Sequence, residues 1–300
     1  MSSRRLALML FLAIWLGGTV IFAAAFGLKS HKAYVVAHNI FSPVDEFELN
    51  TWFSAGPIHF NKGVLFVLVA AALTVGVMGL VARRMQMRPN RVQTAVEWAY
   101  DFTLSLTRDN MDQRLARKYF PLIATLFVFI MVTNLIGYIP LPLETSNTFN
   151  LFGVQVPAFQ IYAADTNVAF PLILALGVFV LFNYEGIRAH GPIGYVKSLI
   201  PGGVNKGLLP LIVVIEILSV FLRLISLTVR LWANLLAGHL LIAFMGGELG
   251  VLVGLPFISW FLLPLGIAIY MFEATLIAVL QAFIFAILTA IYIGDSVHSH

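Results

Sequence analysis

The chain has 300 residues, 60% of them hydrophobic and only 11% charged, with 18 Lys and Arg against 14 Asp and Glu. Soluble domains carry about 25% charged residues, so a mean hydropathy of +0.93 marks an apolar excess spread over the whole length. Having no cysteine excludes a disulfide-stapled domain and a thiolate metal site, and a net charge of +4 is too small to argue for nucleic acid; a polytopic membrane protein remains.

A membrane-crossing helix needs about 20 apolar residues, because the hydrocarbon core is about 30 Å thick. The first uncharged run, Leu6–Leu28, follows Arg4 and Arg5 and reads as a retained anchor or as a cleaved signal peptide. Its length favours the anchor, and residues 1–30 are set apart from a single membrane-embedded domain over 31–300. Further runs are Val64–Ala82, Tyr119–Leu143, Thr166–Tyr184 and Leu249–Phe272, the last continued by Ala274–Gly294. A longer stretch, Gly207–Gly247, is interrupted by Glu216, Arg223 and Arg230. Short alternating segments of the kind that build a barrel are not read anywhere. The predicted fold is therefore all-α: a polytopic helical membrane protein of five to six spans, with two long membrane helices at the C-terminal end. Between the second and third spans, Val92, Val96, Ala99, Phe102 and Leu106 recur at helical spacing opposite Arg91, Thr94, Glu97, Asp101 and Arg108. That pattern predicts an amphipathic helix lying on the membrane surface. Pro140 and Pro142 end the third span, and Gly191-Pro192 and Pro201-Gly202-Gly203 punctuate the loop that follows the fourth.

Charge sets the orientation. Segment 83–118 holds Arg83, Arg84, Arg88, Arg91, Arg108, Arg114, Arg117 and Lys118, which places it in the cytoplasm. Segment 140–165 carries Glu144 and Asp165 with no base and fits the outside, and 185–206 sets Arg188, Lys197 and Lys206 against Glu185 and fits the inside. Six crossings then put both termini in the cytoplasm; cleavage of the first run would leave five and an external N-terminus.

An ionisable group inside a span costs about 2.5–3.5 kcal/mol or more and is a functional candidate by default. At about 100° per residue, with Arg230 at zero, Arg223, Glu216, Ser219, Ser226 and Asn234 all fall within a stripe about 80° wide. The stripe runs for more than about 25 Å and must face a wet cavity or a partner. His239, nine residues past Arg230, lies about 180° away and faces another element. The last helix offers Glu273, Gln281 and Tyr292. Glu216 lies toward the cytoplasm, His239 toward the outside and Arg230 between them, a layout suited to two proton paths that do not join. Arginine suits the middle because it does not deprotonate. Having no intramembrane partner at its depth in its own stripe, Arg230 implies a carboxylate from another chain.

Plainer readings stand beside these. Arg223 is compatible with snorkelling to the interface, and Arg230 with an internal salt bridge to Glu273. Asp165 and Asn167 read as helix caps or as polar groups at a channel mouth. Asn134 and Gly137 read as helix-packing residues. Glu248 sits in the outer hairpin, solvated or at an outer entrance. The remaining histidines lie in loops or tails and form no metal-ligand spacing.

The segment Ser226-Leu-Thr-Val-Arg-Leu-Trp-Ala-Asn-Leu-Leu-Ala-Gly-His-Leu-Leu241 closely resembles the signature of the a subunit (subunit 6) of the F-type ATP synthase membrane sector. Thr133-Asn-Leu-Ile-Gly-Tyr-Ile-Pro140, Ala164-Asp-Thr-Asn167 and Leu280-Gln-Ala-Phe-Ile-Phe285 support it, and the resemblance covers about residues 40–295. It implies a non-catalytic, multi-pass proton-channel subunit of a bacterial plasma membrane, without cofactor or metal. Its implied partners are a ring of c subunits, the b subunits of the peripheral stalk and the other ATP synthase subunits. By resemblance Arg230 meets each ring carboxylate and prevents a direct leak. Asn234, His239, Glu273 and Gln281 correspond to the outer half-channel, and Glu216 and Ser219 to the inner one.

One position departs from the family pattern. The family's ionisable group on the last helix comes seven residues before the glutamine, whereas Glu273 comes eight before Gln281. Either a π-bulge absorbs the extra residue or Glu273 faces elsewhere. A secondary proton-coupled transporter would also put charges in spans but calls for paired repeats and broken helices, and neither is evident. A bis-His haem subunit would need facing intramembrane histidines, and only His239 lies in a predicted span.

Overall fold

Five helices among the described residues are long and apolar enough to cross a membrane: Lys62–Arg83, Gln113–Gly137, Ala169–His190, Leu211–Ile242 and Phe261–Val297. The computed structural model describes residues 9, 12–21, 51–55, 58–139, 141–151, 154–160, 164–198, 209–243, 245 and 256–297. In chain order the helices are α1 (Leu12–Ile21), α2 (Lys62–Arg83), α3 (Arg91–Asn110), α4 (Gln113–Gly137), α5 (Ala169–His190), α6 (Pro192–Ser198), α7 (Leu209–Ala243), α8 (Pro256–Phe272) and α9 (Ala278–Val297). α8 and α9 are joined by a π-turn, Glu273–Ile277. Of the first apolar run only α1 and Met9 fall within the described residues.

Two short hairpins accompany the helices. β1 (Thr51–Ala55) pairs antiparallel with β2 (Ile58–Asn61), and β3 (Leu141–Leu151) with β4 (Val154–Gln160). In register Phe149 pairs with Val156 and Leu151 with Val154, in what reads as loop. They are two-stranded ribbons beside the spans and not parts of a barrel.

Local chemistry sets the helix ends. Asn61 accepts from the Val64 N–H at 3.0 Å and Asn90 from the Val92 N–H at 2.8 Å, each satisfying a donor that the first turn leaves open. Gly191 has a φ of 73°, which glycine adopts without steric cost, and its N–H closes α5 on Ile187 O at 2.8 Å. Pro192 then opens α6.

The described residues form two compact units, Met1–Glu48 with Leu236–Leu276 and Leu49–Leu235 with Ile277–His300. Within the first, the Trp15 Nε1 donates to Phe261 O at 3.1 Å and the two rings stack. Within the second, α4 is the hub, touching α2, α3 and α9, with Ile123, Phe127 and Ile130 fully buried. Ala278, Ala282, Ala286 and Ala290 repeat every four residues along α9 and are all buried. Such a stripe of small side chains lets a membrane helix approach its neighbours closely. The predicted amphipathic helix is α3: Ala99, Thr103, Leu106 and Thr107 are buried while Trp98 and Tyr100 stay exposed.

Glu185, read as a loop charge, is buried near the end of α5. Its Oε1 lies 2.6 Å from Lys118 Nζ on α4 and 3.9 Å from Arg188 Nη1, which supplies the counter-charge a buried carboxylate needs. Beside it the Tyr195 hydroxyl donates to Asn183 Oδ1 at 3.0 Å. Its ring fills the space where a Cβ on Gly186 would stand. Gly186→Ala is expected to lower thermal stability in detergent by about 1–3 kcal/mol and to open residues 192–198 to protease. Gly177→Ala on the same helix, where an added methyl meets nothing within 4 Å, is expected to be neutral or slightly stabilising. Equal behaviour of the two variants contradicts the wedge.

Candidate functional site

α7 carries Glu216, Ser219, Arg223, Ser226, Arg230 and Asn234 in one helix, as the spacing predicts. Burial around it is lopsided. Val220, Leu227, Leu231 and Leu235 are packed, whereas Leu218, Leu222, Ile225 and Val229 are exposed. The polar stripe follows the seam between these faces, with Glu216, Ser219, Arg223 and Arg230 half-buried and Ser226 and Asn234 exposed. A polar seam beside a bare apolar face, on a membrane helix, is a surface shaped for another protein or for water and not for lipid alone.

The two arginines differ in their surroundings. The Arg223 guanidinium lies 5.2 Å from the centre of the Tyr292 ring on α9, a cation–π contact. It also lies near Tyr195, whose phenol is pushed above its ordinary pKa by burial while Arg223 pulls the other way. Tyr292 in turn packs on Phe182 of α5 at 5.8 Å. Arg230 forms no ion pair with any described residue.

Two residues beyond Arg230, the Trp232 Nε1 donates to Thr166 O at 2.9 Å. That bond ties α7 to the 3-10 turn Ala164–Thr166, which carries Asp165. Asn167 accepts from the Ala169 N–H at 2.9 Å, just ahead of α5, whose N-cap residue is Val168. The cavity that it borders, about 500 Å³, is lined largely by apolar groups such as Val64, Phe129 and Phe170. The Asp165 side chain and all of Glu248 lie outside the described residues.

His239 is 3% exposed. Its neighbour Gly238 is in contact with Glu273, whose carboxylate occupies the volume a Cβ at 238 would need. Glycine is thus required there for space and not for a turn. Glu273 opens the π-turn Glu273–Ile277, and a π-turn takes up one residue more than the α-helix.

Gln281 is 2% exposed, and its Nε2 has no hydrogen-bond partner among the described residues. Asn134 on α4 is fully buried and donates from Nδ2 to Ala278 O at 3.2 Å, while its Oδ1 is equally unpartnered. Asn134 therefore packs α4 on α9, as expected, and its Oδ1 has no hydrogen-bond partner among the described residues. Sequence reasoning missed this open acceptor. The signal was an amide in the middle of an apolar run, where polarity is costly.

Residues 64–294 match the family described as ATP synthase A chain. ATP synthase subunit a of Rhodopseudomonas palustris (strain BisB18) is 35% identical over 266 residues, covering 86% of this chain and 98% of the relative. The subunit of that name from Acidiphilium cryptum (strain JF-5) is 33% identical over 261 residues, 85% of this chain and 96% of the relative. That from Pelagibacter ubique (strain HTCC1062) is 32% identical over 270 residues, 86% and 98% respectively.

The contact at Gly238 is separable from any function. Gly238→Ala is expected to lower thermal stability in detergent by about 1–3 kcal/mol. The double variant Gly238→Ala, Glu273→Ala is expected to recover most of that loss, because removing the carboxylate frees the space. Strictly additive effects in this double-mutant cycle contradict the contact.

Proposed function

This chain belongs to the ATP synthase A chain family, the proton-channel component of the ATP synthase membrane sector, and on that premise we propose that Arg230 is the cation which every carboxylate of a rotating c-subunit ring must pass. One observation carries the reading: Arg230 sits on the seam of α7 beside an exposed apolar face and has no ion pair with any described residue. A guanidinium cannot shed its charge, and leaving it unpaired in hydrocarbon is costly. On this reading its anion is a carboxylate supplied by another chain. A ring carboxylate opposite Arg230 stays ionised, so no protonated site passes it, and protons cross only by travelling with the ring.

Two offset half-channels follow. The outer one uses Asn234, His239, Glu273 and Gln281, with a water bridging the open acceptor of Asn134 and the open donor of Gln281; Asp165 and Glu248 belong at its entrance. The inner one uses Glu216 and Ser219, with Arg223 held on Tyr292. His and Glu both exchange protons when their surroundings bring their pKa toward neutrality. The subunit does no bond chemistry of its own and needs no cofactor. Its proposed partners are the c ring, the b subunits of the peripheral stalk and the surrounding bilayer. The eight basic residues of segment 83–118 support a cytoplasmic position for that loop and, by alternation of the spans, for the C-terminus.

Arg230→Ala is expected to abolish proton-driven ATP synthesis in vesicles while the complex still assembles; near-normal coupled synthesis contradicts the reading. Glu273→Gln and His239→Ala are each expected to slow proton flux by about tenfold, the effect of about 1.4 kcal/mol on a barrier. Unchanged flux in Glu273→Gln removes Glu273 from the path. A reporter fused after His300 is expected to lie on the cytoplasmic side, and an external signal overturns the orientation.

A further inference from the structure

The end of α2 at Arg83 carries an unusual charge pattern. From Lys62 to Val96 there is no acidic residue, while Arg83, Arg84, Arg88 and Arg91 fall close together. All four are exposed, and none forms an ion pair with a described residue. The nearest acid in sequence, Glu97, accepts instead from Gln93 Nε2 at 2.7 Å.

The segment that bears them is held in a fixed shape. Arg84 closes α2 through its N–H, which reaches Leu80 O at 3.0 Å and Val81 O at 3.1 Å. Buried Gln93 accepts from the Gln86 N–H at 3.1 Å and donates to Gln86 O at 3.0 Å. One side-chain amide thus satisfies both backbone groups of Gln86, as a neighbouring strand would. The result is a cleft of about 320 Å³ with an apolar wall of Leu80, Val81 and Val92 and a polar wall of Arg84, Gln86 and Asn90.

Its position fixes what it meets. α2 is a membrane span ending at Arg83, so the cleft stands at the level of the lipid headgroups, with exposed Met85 and Met87 beside it. We propose that this cleft binds one anionic phospholipid, its phosphate at Arg84 and the upper part of an acyl chain against Leu80 and Val92. Arg83, Arg88 and Arg91 supply the surrounding positive field. A zwitterionic lipid has the same apolar tail but no net charge to gain from four uncompensated cations. Each basic residue at such an interface favours anionic lipid by about fivefold. The inference needs only that α2 spans the membrane, and it stands apart from the channel reading.

The test uses the intact ATP synthase complex extracted in mild detergent, with retained phospholipid quantified by mass spectrometry. Arg84→Gln is expected to lower the ratio of phosphatidylglycerol to phosphatidylcholine retained by about fivefold. Arg84→Lys is expected to keep most of it, and Arg114→Gln, which removes an exposed arginine outside the cleft, to leave it unchanged. Equal retention in Arg84→Gln and wild type overturns the proposal, as does an equal loss in Arg114→Gln. With the wild-type complex, a photoactivatable phosphatidylglycerol is expected to label residues 80–93 in preference to its phosphatidylcholine counterpart. Labelling without headgroup preference, or a neighbouring subunit cross-linked to Leu80 or Val92 in place of lipid, also overturns it.

Discussion

A guanidinium in a membrane helix has to be compensated, and Arg230 finds no carboxylate among the described residues of its own chain. That electrostatic requirement gives the rest of α7 its meaning. The helix is packed along Val220, Leu227, Leu231 and Leu235 and bare along Leu218, Leu222, Ile225 and Val229. A lipid-facing helix has no reason to place polar groups along the border of its bare face. On the proposed reading, the bare face receives the ring and the polar border supplies water to its carboxylates.

Rigid mounting makes such a border usable, since groups that must meet a moving partner need fixed positions. The alanine stripe of α9 and the buried centre of α4 give one wall, and the Asn134–Ala278 hydrogen bond crosses it. Trp232 fixes α7 to the turn before α5. Lys118 and Glu185 join α4 to α5, and the Arg223 guanidinium lies over the Tyr292 ring. In the separate unit that holds them, Gly238 leaves the room that the Glu273 carboxylate fills.

Much of this was legible in the sequence, because a membrane helix announces itself by length and apolarity. The spans, the amphipathic α3 and the α7 stripe all follow from composition and a period of 3.6 residues. Even the π-turn at Glu273–Ile277 showed as an eight-residue spacing where seven was expected. What stayed hidden depends on long-range contact. Glu185 looked like an orientation-setting loop charge, but it is buried by Lys118, 67 residues away. Segment 140–165 reads as loop by its charge, and the β3–β4 pairing within it is a backbone register that no spacing announces. Asn134 was legible as a packing residue, whereas its unpartnered oxygen is a property of three-dimensional neighbours.

The central claim is that the bare side of the α7 seam faces a small carboxylate-bearing subunit at the depth of Arg230. Cysteine cross-linking in membranes tests it most directly, with single cysteines at Ser226, Val229 and Ala233 on the exposed side and at Leu227, Leu231 and Leu235 on the packed side. The account predicts oxidative cross-links to cysteines flanking the c-subunit carboxylate from the first set and not from the second. Cross-links from the packed side alone, or from neither side in an assembled complex, would contradict it.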